Sequence, residues 1–167
     1  MADALFLIEN RKTVTNFTSK EIPADVLSNV LNCARVTPTN KHFQEWRFVV
    51  IKDSATKNKL NELTNAEAFL TAPVVVAVFS KNSKFNIEYA SAATEAMLLA
   101  ASNYNLGTYW HIVNNEPYAK NIVSLLNAPE EYYLMGLVAM GYYNFVSPSF
   151  QKLQSLSEMT IIEKFKL

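Results

Sequence analysis

Val74-Val75-Val76-Ala77-Val78-Phe79, followed after a short polar break by the alanine-rich stretch from Asn86 to Tyr104, decides how this chain folds. The first segment is rich in β-branched residues and apolar on both faces, which predicts a central strand covered from both sides. The second carries Ala90, Ala92, Ala93, Ala96, Ala100 and Ala101 beside Met97, Leu98 and Leu99. Apolar on nearly all sides, it predicts the buried helix of the domain or one that lines a subunit interface. Leu106-Gly107 is expected to end that helix, with Gly107 in the left-handed terminal position.

Working outward from this pair, Phe48-Val49-Val50-Ile51 reads as a second strand, and Ser54 is expected to cap a helix running through Leu63. Ile22-Pro23 starts an earlier helix, since proline fits a first helical turn. Val26, Leu27, Val30, Leu31 and Ala34 form its apolar face, and Cys33 is expected to lie there as an inert core thiol. Thr37-Pro38 stops it, because the residue before a proline is pushed out of the α region. Leu5 to Ile8 suggest a short first helix, ended by Asn10-Arg11-Lys12. Beyond the central pair, Pro117 to Leu126 predicts a helix and Tyr132 to Tyr142 a strand. After Pro148 the chain turns polar and periodic, with Phe150, Leu153, Leu156, Met159, Ile161 and Ile162. The order predicts a single α+β domain over residues 1–167, a small sheet covered on both faces.

Composition narrows the function. Lys plus Arg and Asp plus Glu are 15 each, so the basic excess of a nucleic-acid binder is missing. The single cysteine excludes an intramolecular disulfide and a cysteine-rich zinc site. Gly107, Gly136 and Gly141 are the only glycines, and their spacing matches neither G-x-G-x-x-G nor a P-loop. The N-terminus does not read as a signal peptide and the longest apolar run, Pro73 to Phe79, is too short to span a bilayer. The expectation is a soluble cytoplasmic protein with no membrane or nucleic-acid partner. His42 and His111 are the only histidines, with no G-x-S-x-G near either and no metal-ligand spacing.

Four segments could carry chemistry. Arg11-Lys12-Thr13-Val14-Thr15-Asn16-Phe17 sets two cations and hydroxyls near a helix end, a combination that suits a phosphate but also an ordinary solvated turn. Pro38-Thr39-Asn40-Lys41-His42-Phe43-Gln44-Glu45-Trp46-Arg47-Phe48 offers amide and imidazole groups beside aromatics, as the edge of a planar heterocycle would require. Trp46 and Phe48 themselves read as core residues alternating with Arg47. Leu106 to Val113 follows the alanine-rich helix, and Leu137 to Tyr142 is an apolar strand ending in glycine.

Together these segments resemble the nitroreductase family of FMN-dependent oxidoreductases. That family shows R-[RH]-S-x-[RK]-x-F, then I-P, A-P-S-x-x-N-x-Q-P-W-x-F, a-P-v-v-i-v, L-G-t-x-W and i-x-i-G-y-P. Here the counterparts are Arg11–Phe17, Ile22-Pro23, Thr37–Phe48, Ala72–Val78, Leu106–Trp110 and Leu137–Tyr142, in the same order. The resemblance implies a three-layer fold with a small mixed or antiparallel sheet flanked by helices, and a homodimer whose C-terminal tail extends onto the partner. FMN would sit at the subunit interface.

Carried over residue by residue, it implies that Arg11 and Lys12 hold the FMN phosphate and that Thr13 replaces a serine that hydrogen-bonds the cofactor. Pro38, Thr39 and Asn40 would approach the isoalloxazine from the partner subunit, with His42 standing for the family's asparagine and Gln44 for its glutamine. Trp110, His111 and Ile112 would border the ring's other face, backbone N–H groups near N5. The implied reaction moves hydride from NAD(P)H through flavin N5 to a small electrophile such as a nitroaromatic or a quinone; the redox chemistry belongs to the flavin, so no protein residue is expected to be catalytic. The departures count too. Thr15 stands where the family has a second cation, Glu45 replaces a proline, and Ile112 and Val113 replace glycines. Gln154 replaces a late arginine and leaves Lys152 as a substitute for it. These departures favour the alternative of a flavin-binding or interaction protein on the same fold without turnover.

Overall fold

A computed structural model describes residues 3–146 and 154–164, with His42 described by its main chain alone. Four strands, β1 (Trp46–Ile51), β2 (Val74–Lys81), β3 (Gly107–Ile112) and β4 (Tyr132–Gly141), form one antiparallel sheet in the order β1-β2-β4-β3. β2 and β4 are the inner strands, which explains why β2 is apolar on both faces. Its residues alternate strictly: Val74, Val76 and Val78 enter one core layer, while Val75, Ala77 and Phe79 enter the other.

Helices α2 (Ala24–Arg35) and α5 (Asn86–Asn103) cover the first face; α3 (Ser54–Thr64), α4 (Ala68–Thr71) and α6 (Ala119–Leu125) cover the second. Leu27, Val30 and Ala34 of α2 pack with Met97, Leu98 and Ala101 of α5 on one side, and Leu60, Phe69 and Ile122 fill the other. The helix–sheet–helix layering is the three-layer α+β fold that the sequence predicts. A short α1 (Ala4–Asn10) packs against α5 and buries none of its own residues, and α7 (Leu156–Met159) lies in the C-terminal stretch.

Three local expectations need correction. Asp53, not Ser54, caps α3: its carboxylate accepts the Thr56 N–H at 2.7 Å, and a carboxylate is the stronger acceptor at a helix start. Gly107 does not take the left-handed position after α5; Asn105 does, at φ 57°. Gly107 is the first residue of β3, where a Cβ would overlap the Val14 side chain and stand 2.7 Å from Tyr143 Cδ1. Cys33 is exposed, because the buried line of α2 runs Leu27–Val30–Ala34 and position 33 falls beside it. α5 is covered on one face within the protomer, leaving Ile87 49% exposed. In the C-terminal stretch Leu156, Met159, Ile161 and Ile162 are exposed, while Phe150, Lys152 and Leu153 lie outside the described residues.

Candidate functional site

Leaving α1, the chain from Arg11 to Thr18 runs extended along the open edge of β3. Val14 N–H donates to Thr108 O at 2.9 Å and Thr108 N–H to Lys12 O at 3.4 Å, a parallel bridge that fixes the register. Further on, Phe17 N–H donates to Thr71 Oγ1 at 3.2 Å and Thr18 N–H to Tyr142 O at 2.8 Å. Val14 and Phe17 are buried; alternation about Val14 turns Thr13 and Thr15 outward, and both they and Lys12 are exposed. Arg11 is half-buried. Its Nη1 donates to Thr13 Oγ1 at 3.5 Å, and its Nε lies 3.8 Å from Glu95 Oε1 on α5.

Two cavities flank this segment, and Thr15 lines both. One, of about 450 Å³, also involves Thr13, Phe17, Thr18, Asn144 and Phe145; the other, of about 460 Å³, involves Asn16, Asn65, Glu67, Thr71 and Tyr109. Both fall in the size range of small-molecule sites. Thr18 Oγ1 is buried at the first cavity with no hydrogen-bond partner among the described residues. A buried hydroxyl without a partner is costly, so this atom suits a ligand that brings one.

The β3 edge adds main-chain donors. Thr108 directs its N–H and C=O away from β4, and alternation directs those of Trp110 and Ile112 the same way. Val113 N–H turns back to Met135 O at 3.2 Å. Side chains alternate as well. Trp110 packs into the α5 layer, whereas Tyr109 and His111 lie on the opposite face, edge-on to Phe69. The structure therefore separates the ring of His111 from Trp110 and Ile112. His111 Nε2 is 2.8 Å from Tyr118 Oη, and Nδ1 is 3.4 Å from Tyr109 Oη. Burial pushes the His111 imidazole below its ordinary pKa, against the pull of Glu116, and burial with Glu116 and Tyr109 pushes the Tyr118 phenol up.

The second loop is anchored elsewhere. Asn40 N–H donates to Tyr89 Oη at 3.1 Å on the first turn of α5, and Thr39 Oγ1 is buried without a partner among the described residues. Gln44 Nε2 donates to Arg35 O at 3.1 Å, closing the loop onto the end of α2. Lys41, at φ 55°, makes the turn between them, and the main chain of His42 lies in the same 3₁₀ turn. Pro38, Thr39 and Asn40 line neither cavity of their own protomer.

Asn65, Glu67, Thr71, Tyr109 and Thr18 escaped the sequence reading. Asn65 caps the end of α3 at φ 54°, and the others are brought in by pairing distant in sequence. Among the described residues no group of three or more His, Cys, Asp or Glu could hold a metal ion, and no helix is long and apolar enough to cross a membrane.

The sequence profile of the Nitroreductase family matches residues 8–79 and 61–142. The chain belongs to the nitroreductase family. A relative from Archaeoglobus fulgidus that carries the name NADH dehydrogenase/NAD(P)H nitroreductase is 28% identical over 150 residues, 85% of this chain and 86% of that one. Among solved structures, an FMN-dependent nitroreductase from Clostridium difficile shares the fold at a TM-score of 0.89 and 20% identity, covering 96% of this chain and 99% of that one. A nitroreductase from Bacteroides fragilis with bound FMN shares it at a TM-score of 0.79 and 22% identity, covering 98% and 100%. In this chain, the Arg11–Thr18 segment and the open edge of β3 form the candidate cofactor site.

Proposed function

We propose that this chain binds FMN between two copies of itself and transfers hydride from NAD(P)H to a small electrophile, of the nitroaromatic or quinone class. One observation carries the reading: a segment bearing Arg11, Lys12, Thr13 and Thr15 is pinned to an open sheet edge beside a cavity that holds an unpartnered buried hydroxyl.

Bound FMN would supply hydride acceptance and donation at N5. The remaining work falls to the chain. Arg11 and Lys12 offer charge to the phosphate, and Thr13 and Thr18 offer hydroxyls to the phosphate or the ribityl chain. Lys152, which lies outside the described residues, is the remaining cation assigned to the phosphate. Trp110 and Ile112 offer outward N–H groups to the edge of the ring, while the His111 ring, turned to the other face, holds the strand in place through Tyr118. Pro38, Thr39 and Asn40, which line neither cavity of their own protomer, are assigned to the partner's site, together with His42; Gln44 secures that loop.

Freshly purified protein is expected to be yellow and to bleach when NAD(P)H is added without oxygen. Colourless protein that stays so after FMN addition and desalting would reject the proposal. Arg11→Ala removes a charge-assisted contact of about 1.5–3 kcal/mol, so FMN affinity should fall roughly 10- to 100-fold, as fluorescence titration would measure. The alternative, flavin binding without turnover, draws on the Arg11–Glu95 pair and on Thr15 in place of a cation, since both lessen the positive charge available to reduced flavin. Flavin that stays bound yet resists anaerobic NAD(P)H would select it.

A further inference from the structure

Where β1 ends and β2 begins, a cavity of about 340 Å³ opens between residues 19–22, which lead into α2, and the helices α3 and α4. Lys57 of α3 lines it and is only 8% exposed. Its Nζ donates to Ala72 O at 2.7 Å, and the neighbours of that carbonyl, Thr71 and Pro73, line the same cavity. The ammonium therefore stands at the cavity wall. One of its three donors is used, on a neutral acceptor, and no carboxylate lies within 4.0 Å of it among the described residues. Buried charges are ordinarily paired, because an isolated ammonium loses its hydration without replacement. Burial pushes the Lys57 ammonium below its ordinary pKa, against the pull of Asp53.

The rest of the wall supplies what an anion needs. Lys52 brings a second ammonium, likewise without a carboxylate within 4.0 Å among the described residues. Thr71 Oγ1 accepts the Phe17 N–H at 3.2 Å, so its own proton is left for another acceptor. The Ser19 hydroxyl makes no hydrogen bond among the described residues. Glu21 also lines the cavity, so its ionisable groups are two lysines against one carboxylate. Ile22, Leu70 and Val74 form an apolar side. These four donor groups suit the lone pairs of a single carboxylate. A volume of about 340 Å³, against about 30 Å³ for one water, leaves room for a short hydrocarbon tail on the apolar side.

We propose that this cavity is a binding site for a small aliphatic carboxylate. Its oxygens meet Lys57, Lys52 and the hydroxyls of Thr71 and Ser19, and its chain lies on Ile22, Leu70 and Val74. The site does not rest on flavin binding, since it uses neither Arg11 nor Lys12 and no residue of β3. Thr71 is shared, because it also lines the cavity beside Tyr109.

Butyrate is the probe, with uncharged butyramide as its control, at constant ionic strength. In methyl ¹H–¹³C NMR of the purified protein, butyrate should shift the Ile22, Leu70 and Val74 signals saturably, and butyramide should bind at least about 10-fold more weakly. Butyrate should also bind about 3- to 10-fold more tightly than acetate, whose methyl reaches less of the apolar side. Lys57→Met removes the charge, keeps most of the side chain's length and should weaken butyrate binding at least about 10-fold. Lys52→Gln with Ser19→Ala should weaken it about 3- to 10-fold. Unmoved methyl signals at high butyrate overturn the proposal. So does equal binding of butyramide or of acetate, or undiminished binding by a folded Lys57→Met or by the double variant. If Lys57→Met does not fold, the double variant decides alone, since Lys52 and Ser19 are exposed. Arg11→Ala should leave the titration unchanged; loss of the butyrate shifts there would put the anion at the cofactor segment and overturn the proposal. Colour and flavin content are read on the same samples, so a colourless protein that binds butyrate would sink the flavin reading and keep this one.

Discussion

Glu95 and Gly107 show how a single residue constrains the candidate site from a distance. The Glu95 carboxylate sits 3.8 Å from Arg11 Nε and competes for the cation that a phosphate would use. Both side chains are partly exposed, so the pair itself is worth only about 0–1 kcal/mol. Glu95→Gln should therefore leave stability almost unchanged and tighten FMN binding a few-fold, an opposite sign to Arg11→Ala in the same titration. Gly107 matters through space rather than through backbone freedom. A Cβ there would push into Val14, whose N–H docks the cofactor segment onto Thr108. Gly107→Ala should cost about 1–3 kcal/mol in urea unfolding and loosen flavin retention with it. Undiminished stability would show that Val14 and Tyr143 can give way.

At the scale of elements, β3 organises the site because it is an edge strand whose two faces and open edge do different work. Its edge holds the Arg11–Thr18 segment, one face carries Trp110 and Ile112, and the other carries Tyr109 and His111. On that last face His111 joins Tyr118, next to the first turn of α6, and so ties α6 to β3. Burial holds the imidazole pKa below its ordinary 6.5, so the unfolded chain binds this proton more readily than the folded one. Stability from this group is complete above that value and is lost as pH falls from 6.5 toward the lower folded pKa. Asp53, whose carboxyl is held below 3.8 by the Thr56 hydrogen bonds, acts at more acidic pH and does not overlap. His111→Gln should flatten the pH dependence of the urea midpoint just below 6.5; a slope equal to wild type would place its origin elsewhere.

The same strand shows what the sequence makes legible and what it hides. β2 and α5 are readable because their patterns are long and local, and Arg11–Phe17 is readable as a cationic, hydroxyl-bearing stretch. Trp110 and His111 are neighbours, yet period-two alternation sends them to opposite faces, a consequence that treating residues 110–112 as one border overlooks. Gly107 misleads because a glycine after a helix has two physical uses, left-handed backbone and close approach, and the sequence does not say which. Glu95, Asn65 and Thr71 reach the site only through tertiary pairing.

For the whole molecule, the question is what covers the apolar surface that the described residues leave exposed. α1 exposes Leu5 (66%), Phe6 (57%) and Ile8 (59%), a hydrophobic patch at the end that leads directly into Arg11. The proposed function supplies a second copy of the chain as the cover, and it also calls for one, since the Pro38–Asn40 loop lines neither cavity of its own protomer. Sedimentation should then give a mass about twice 18.8 kDa. Leu5→Glu combined with Phe6→Glu should yield a folded monomer that releases FMN, because each site loses the loop lent by the other chain. Arg11→Ala should do the reverse and keep the dimer while losing flavin. A wild-type chain that sediments as a monomer with FMN fully bound would break the link between assembly and cofactor.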